Sequence, residues 1–183
     1  TIGSASTVGA MTIASNGDVT FADGSDIITA SAGTSNFRAG VNAGNSIASG
    51  GNYNVVLGDE AGTALTTGDD NVAIGFEALS TEDAHGDNVA IGYQALKTLN
   101  AGAEGENVAI GNKAGTAMTT GVQSVLVGKR SGDALTNADR NTAVGYATLS
   151  ADTLGSKSTA VGYASLFAQN FTTATDSYNV AVG

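Results

Sequence analysis

Residues 70–79 read DNVAIGFEAL, and residues 87–96 read DNVAIGYQAL. A catalytic motif is normally written once, whereas a phrase that returns at fixed spacing marks a structural unit. A short apolar strand ending in glycine recurs eight times, at 54–58, 71–75, 88–92, 107–111, 124–128, 141–145, 158–162 and 179–183. The closing residues are Gly58, Gly75, Gly92, Gly111, Gly128, Gly145, Gly162 and Gly183, at steps of 17, 17, 19, 17, 17, 17 and 21. SNFRAG at 35–40, 18 residues before Gly58, reads as a degenerate ninth copy.

A period near 17 is a solenoid signal. It is short for helical-hairpin repeats, and no stretch sustains helical spacing. Within Val72-Ala73-Ile74 the alternation is two-residue, so Val and Ile share one face and Ala takes the other. The small residue predicts close approach of a neighbouring backbone on the Ala face, and the glycine predicts a sharp corner at positive φ. A second segment follows each corner, as in Phe76-Glu77-Ala78-Leu79 and Tyr93-Gln94-Ala95-Leu96. Where Gly62, Gly115 or Gly132 replaces the Leu, an apolar residue stands three positions later, at Leu65, Met118 or Leu135. These are two ways of filling one core slot. The third segment is polar, rich in turn residues and variable in length, which places its insertions on the outside of the stack.

Composition agrees with a thin stack. The 183 residues include 26 Gly, no Pro, no Trp and no Cys, and only 5% are aromatic. A strand paired on both sides needs every N–H, so the missing Pro fits. The missing Cys removes disulfides and thiolate metal sites. A net charge of −10 opposes nucleic acid and anionic membrane surfaces. No apolar run reaches membrane-span length, and no signal peptide is read. The chain begins at Thr1 and stops inside the repeat at Gly183, and is read as a piece of a longer polypeptide. Each coil offers too few apolar side chains to fold alone, so stacking and lateral association are both expected. Residues 1–34 read as a short β-strand linker, with strands at 11–13, 19–21 and 27–29, and residues 35–183 as the solenoid.

The unit Asn-Val-Ala-Ile-Gly-x-x-Ala resembles the head repeat of trimeric autotransporter adhesins. Asn71, Asn88, Asn107 and Asn141 stand in that pattern's Ser column, and Ser124 and Ser158 match it. The pattern's leading Asn is not kept, since Asp70, Asp87, Glu106 and Arg140 stand there, and the repeat is longer than the adhesin unit. The wording at 141–149, NTAVGYATL, looks still more like repeats of phage tail-fibre proteins, and MTIASNGDVTF at 11–21 resembles their linker strands. The resemblance implies an all-β, left-handed parallel β-roll with three chains wound side by side. It also implies a virion tail-fibre location, with a bacterial cell surface as the alternative. Expected partners are two further copies, other fibre or virion proteins, and a host-surface glycan or protein.

Little in the chain reads as chemistry. His85, the single histidine, lies in the polar loop TEDAHGD and reads as a solvated loop residue rather than a triad member. Glu82, Asp83, Asp87, Asp69 and Asp70 fall in adjacent loops. Oxygen-rich loops can hold Ca²⁺, but no calcium-loop pattern is present, so they read as a solvated face. GNKAG at 111–115 lacks the rest of a phosphate loop and reads as a corner. The recurring Phe76, Tyr93, Tyr146 and Tyr163 read as packing rather than a sugar platform. No catalytic residue, cofactor or metal is expected, and recognition, if present, belongs to the loops around His85, Glu104 and Phe171. The reading is a structural fibre segment that spaces or presents a receptor-binding tip. The alternatives are an adhesin head, an ice-binding solenoid or a polysaccharide depolymerase.

Overall fold

The computed structural model describes residues 32–183, together with the backbone of Met11–Ile13 and Val19–Phe21. Strands β1 (Met11–Ile13) and β2 (Val19–Phe21) pair antiparallel. The strand expected at 27–29 lies outside the described residues. The rest is a parallel β-solenoid. Its main sheet has nine strands: β3 (Phe37–Ala39), β4 (Val55–Leu57), β5 (Val72–Ile74), β6 (Val89–Ile91), β7 (Val108–Ile110), β8 (Val125–Val127), β9 (Thr142–Val144), β11 (Thr159–Val161) and β13 (Val180–Val182). Each strand pairs in parallel with the corresponding strand of the next coil, so the degenerate copy at 35–40 forms the first strand of the stack.

Register is strict. Val72, Ala73 and Ile74 lie beside Val89, Ala90 and Ile91, and these beside Val108, Ala109 and Ile110. The middle residue points inward: Val56, Ala73, Ala90, Ala109, Leu126, Ala143 and Ala160 are all fully buried. The flanking Val and Ile point outward and stay partly exposed. The coil is therefore narrow where the alanines face in, which is the close approach that the small residue predicts.

The leucine slot fills the remaining interior. Leu79, Leu96 and Leu149 are fully buried, although each holds a left-handed backbone, with φ of 50°, 47° and 50°. A non-glycine residue there carries strain, and burying a whole leucine side chain offsets it at about 1.5–3 kcal/mol. The equivalent Gly62 and Gly132 keep the same backbone, at φ 50° and 58°. A Cβ on either would stand 2.8 Å from a Cδ1 of Leu65 or Leu135. The side chain from three positions on has taken the slot.

A ladder of buried amides runs beside the alanines. Asn54, Asn71 and Asn88 are completely buried. The Asn71 backbone N–H donates to Asn54 Oδ1 at 2.9 Å, and that of Asn88 to Asn71 Oδ1 at 3.1 Å. Ser124 continues the chain of bonds, with its N–H on Asn107 Oδ1 at 3.0 Å and its hydroxyl accepting from Asn141 N–H at 3.1 Å. The amide NH₂ groups reach back to loop carbonyls, as in Asn54 Nδ2 to Gly68 O at 2.8 Å. Each coil thus ties one strand start and one loop to its neighbour, and the polar column stays satisfied.

Candidate functional site

Two surfaces are the candidates for a functional site among the described residues: the loop edge and the outward face of the main sheet. At the loop edge, the residue three beyond the leucine slot decides how the loop is held. Ile47, Leu65, Leu99, Met118 and Leu135 are buried there as hydrocarbon. In two coils the position is a carboxylate instead, Glu82 and Asp152, and both are fully buried. This corrects the expectation that Glu82 belongs to a solvated face.

Both carboxylates serve a neighbouring insertion. Glu82 Oε2 accepts from Ala101 N–H at 3.0 Å, at the start of the loop lengthened in the 19-residue step. Its Oε1 accepts from Asp83 N–H at 3.2 Å and His85 N–H at 3.3 Å. Asp152 Oδ1 accepts from Phe171 N–H at 3.0 Å and Gly155 N–H at 3.1 Å, and Oδ2 from Gln169 Nε2. Inserted residues leave N–H groups that no ladder partner can satisfy, and a buried anion supplies acceptors with several lone pairs. Desolvation pushes the Glu82 carboxyl above its ordinary range, while the Ala101 and His85 N–H groups pull against that rise.

The three loop residues singled out from sequence fall on this edge. His85 Nδ1 stands 3.4 Å from Glu82 Oε1. Glu104 Oε2 accepts from Gly86 N–H at 2.7 Å, which ties two successive loops. Phe171 is held through its backbone, with its carbonyl accepting from Leu154 N–H at 3.0 Å and Thr153 Oγ1 at 2.9 Å. The longest insertion then forms its own strand, β12 (Thr175–Asp176), parallel to β10 (Gly155–Ser156). His85 and Phe171 therefore sit in separate, internally bonded loops rather than in one constellation. Glu82, Asp83 and His85 place ligand atoms within 4.8 Å of one another, a spacing a cation could use. The Glu82 oxygens already face loop N–H donors.

The outward sheet face is largely apolar. Val or Ile holds most of the outward strand places, Thr142 and Thr159 hold the first in β9 and β11, and the residue after the corner glycine continues the row. Val125 is 38% exposed and Ile110 38%. Phe76 stacks on Tyr93 with ring centroids 5.6 Å apart, and Tyr146 on Tyr163 at 5.2 Å. The aromatic column thus packs ring on ring along the outside, half-exposed, and contributes nothing to the interior. Asn112 and Lys129 interrupt the column between the two pairs. No protein family, curated protein or solved structure matches the chain.

Proposed function

We propose that the chain is a segment of a homotrimeric fibre, of the kind phage tail fibres use to space or present a receptor-binding tip. The observation that carries this reading is the outward Val/Ile/aromatic face, which repeats in register along the stack. Folded monomers seldom leave an apolar patch of more than a few hundred Å² in water. A periodic face on a rod is best covered by another rod of the same period, and the same chain has that period. The sequence resemblance adds the left hand of the roll and the number three. It also supports the runner-up, the head of a bacterial trimeric adhesin, which shares the fold and differs in what flanks it.

The framework supplies stiffness, and the polar loop around His85 and the lengthened loops around Glu104 and Phe171 are where a host-surface glycan or protein would be met. Sedimentation equilibrium of the segment tests the assembly, with a trimer expected; a folded monomer at micromolar concentration overturns it. Exchanging the loops at 100–106 and 167–178 for the short TTG type, with the trimer intact, tests recognition. Lost binding to host cells makes the loops receptor-contacting, and unchanged binding leaves a shaft. Cleavage of host polysaccharide by the intact segment would overturn the non-enzymatic reading.

A further inference from the structure

The outward face is bounded on both sides by corner residues at positive φ. The leading edge carries Asp70, Asp87, Glu106, Gln123, Arg140 and Lys157, with φ from 50° to 64°. The trailing edge carries Glu77, Gln94, Lys113, Arg130, Ala147 and Ala164, with φ from 52° to 59°. Backbone bonds such as Arg140 N–H to Val122 O at 3.0 Å and Lys113 N–H to Tyr93 O at 2.8 Å stack each edge one coil per step. Both edges run from acidic to cationic or neutral, but they do not change sign at the same coil.

Coil by coil, the two edges pair Asp70 with Glu77, Asp87 with Gln94, Glu106 with Lys113, Gln123 with Arg130, Arg140 with Ala147 and Lys157 with Ala164. Within one chain Glu77, Arg130 and Lys157 pair with Lys97, Asp133 and Asp176, and among the described residues no ion pair joins a leading-edge residue to the trailing-edge residue of its own coil. The matching acquires meaning between copies. When parallel copies turn their flat faces to a common axis, the leading edge of each lies beside the trailing edge of the next. Only one level then opposes like charges, Asp70 and Glu77, and there Lys97 already bonds Glu77 at 2.6 Å. Arg140 and Lys157 face alanines. At one level the charges are opposite: Glu106 and Lys113 are both exposed, and neither has an ion-pair partner among the described residues, although Glu106 Oε2 accepts from Gln123 Nε2 at 2.7 Å in the same chain.

We propose that the copies pack parallel and in coil register on this face, with Lys113 of one chain donating to Glu106 of the next. The proposal rests on the self-assembly reading above and specifies its geometry. Nine strands at about 4.8 Å and five residues at about 3.3 Å give a face of roughly 700 Å² per copy. That is close to the ~800 Å² a partner contributes to a stable interface. An ion pair at the rim of such a face acts mainly on register and partner choice.

The test uses four chains: wild type, Glu106→Lys, Lys113→Glu and the double reversal. Other coils carry Lys157 and Glu77 at the same edge positions, so both replacements suit the backbone. Sedimentation equilibrium at moderate salt reads the association constant, and far-UV circular dichroism reads the fold. Each single reversal sets like charges across the seam and is expected to weaken association about tenfold or more, and the double reversal to restore it to within a few-fold of wild type. A wild-type trimer in which the double reversal restores nothing overturns the parallel in-register seam and leaves the assembly reading standing. An antiparallel dimer, in which full overlap of the nine strands would set Glu106 against its own copy, also overturns it. A wild-type monomer removes the assembly reading, and the seam with it.

Discussion

At Gly92 and Gly111 the stack permits no side chain. Their φ values are 134° and 141°, and a Cβ on either would lie 2.5 Å from the carbonyl oxygen of the next corner glycine. The obstacle is backbone, fixed by the ladder, so it cannot rotate away. Gly92→Val and Gly111→Val are each expected to destabilise the segment by more than about 1 kcal/mol, read as a fall in thermal midpoint. An unchanged midpoint would mean that neighbouring corners do not approach as closely as described. The leucine slot makes a second, coupled prediction. Gly62→Leu places a branched side chain where Leu65 Cδ1 already sits, 2.8 Å from the new Cβ. Alone it is expected to cost about 1–3 kcal/mol by overpacking. Combined with Leu65→Gln it takes the wording of the coil that carries Leu166 and Gln169, and most of the loss should return. Purely additive effects in chemical denaturation would show that the two residues do not share a slot.

The strand starts and loop starts depend on two sets of buried polar groups. Asn88→Ala removes the acceptor of the Asn107 N–H and the donor to Gly86 O, leaving buried backbone groups unsatisfied. A loss of about 1–3 kcal/mol is expected. Asn88→Ser should cost less, because Ser124 shows that a hydroxyl can carry the column. Equal losses for the two would mean that packing, not the ladder, holds the position. Glu82 adds a pH dependence. Its carboxyl lies above the ordinary range, so the folded state holds a proton at pH values where the unfolded state has lost it. This group's share of stability is therefore largest below its unfolded pKa and declines as pH rises through the folded one. On acidification from about pH 7 to about pH 5, wild type should gain midpoint relative to Glu82→Gln. A difference that shrank would reverse the sign assigned to burial. The ladder and the buried acids were the least legible parts of the sequence. The repeated asparagine reads as a variant of a serine column, Glu82 reads as part of a solvated face, and Asp152 is not singled out by any motif. The signal was positional: both acids stand three residues beyond a slot leucine, where other coils carry Ile47, Leu65, Met118 or Leu135.

On the scale of the whole rod, the solenoid was legible because every coil repeats one short sentence, and a two-residue alternation has only two faces to assign. What the alternation alone leaves open is which face is interior, since Val and Ile outweigh Ala in apolar area. The structure resolves this by width: inward alanines let the coil close, and the larger residues go outside. A single chain therefore exposes its more apolar strand face, and that inversion yields opposite expectations for adjacent residues. Ala90→Asp puts a charge into the fully buried column between Ala73 and Ala109, with no room and no partner. It should unfold the segment, with loss of the β circular-dichroism signal. Ile91→Asp, one residue on, points outward, where a single chain leaves the side chain partly exposed. It should leave the β signal largely intact and dissociate the assembly, because the charge would be buried only between copies. The pair is read by sedimentation and circular dichroism on the same samples. If Ile91→Asp stays assembled and folded, the outward face is not where the copies meet. If it unfolds as Ala90→Asp does, the single chain has no fold of its own and the stack forms only together with its neighbours.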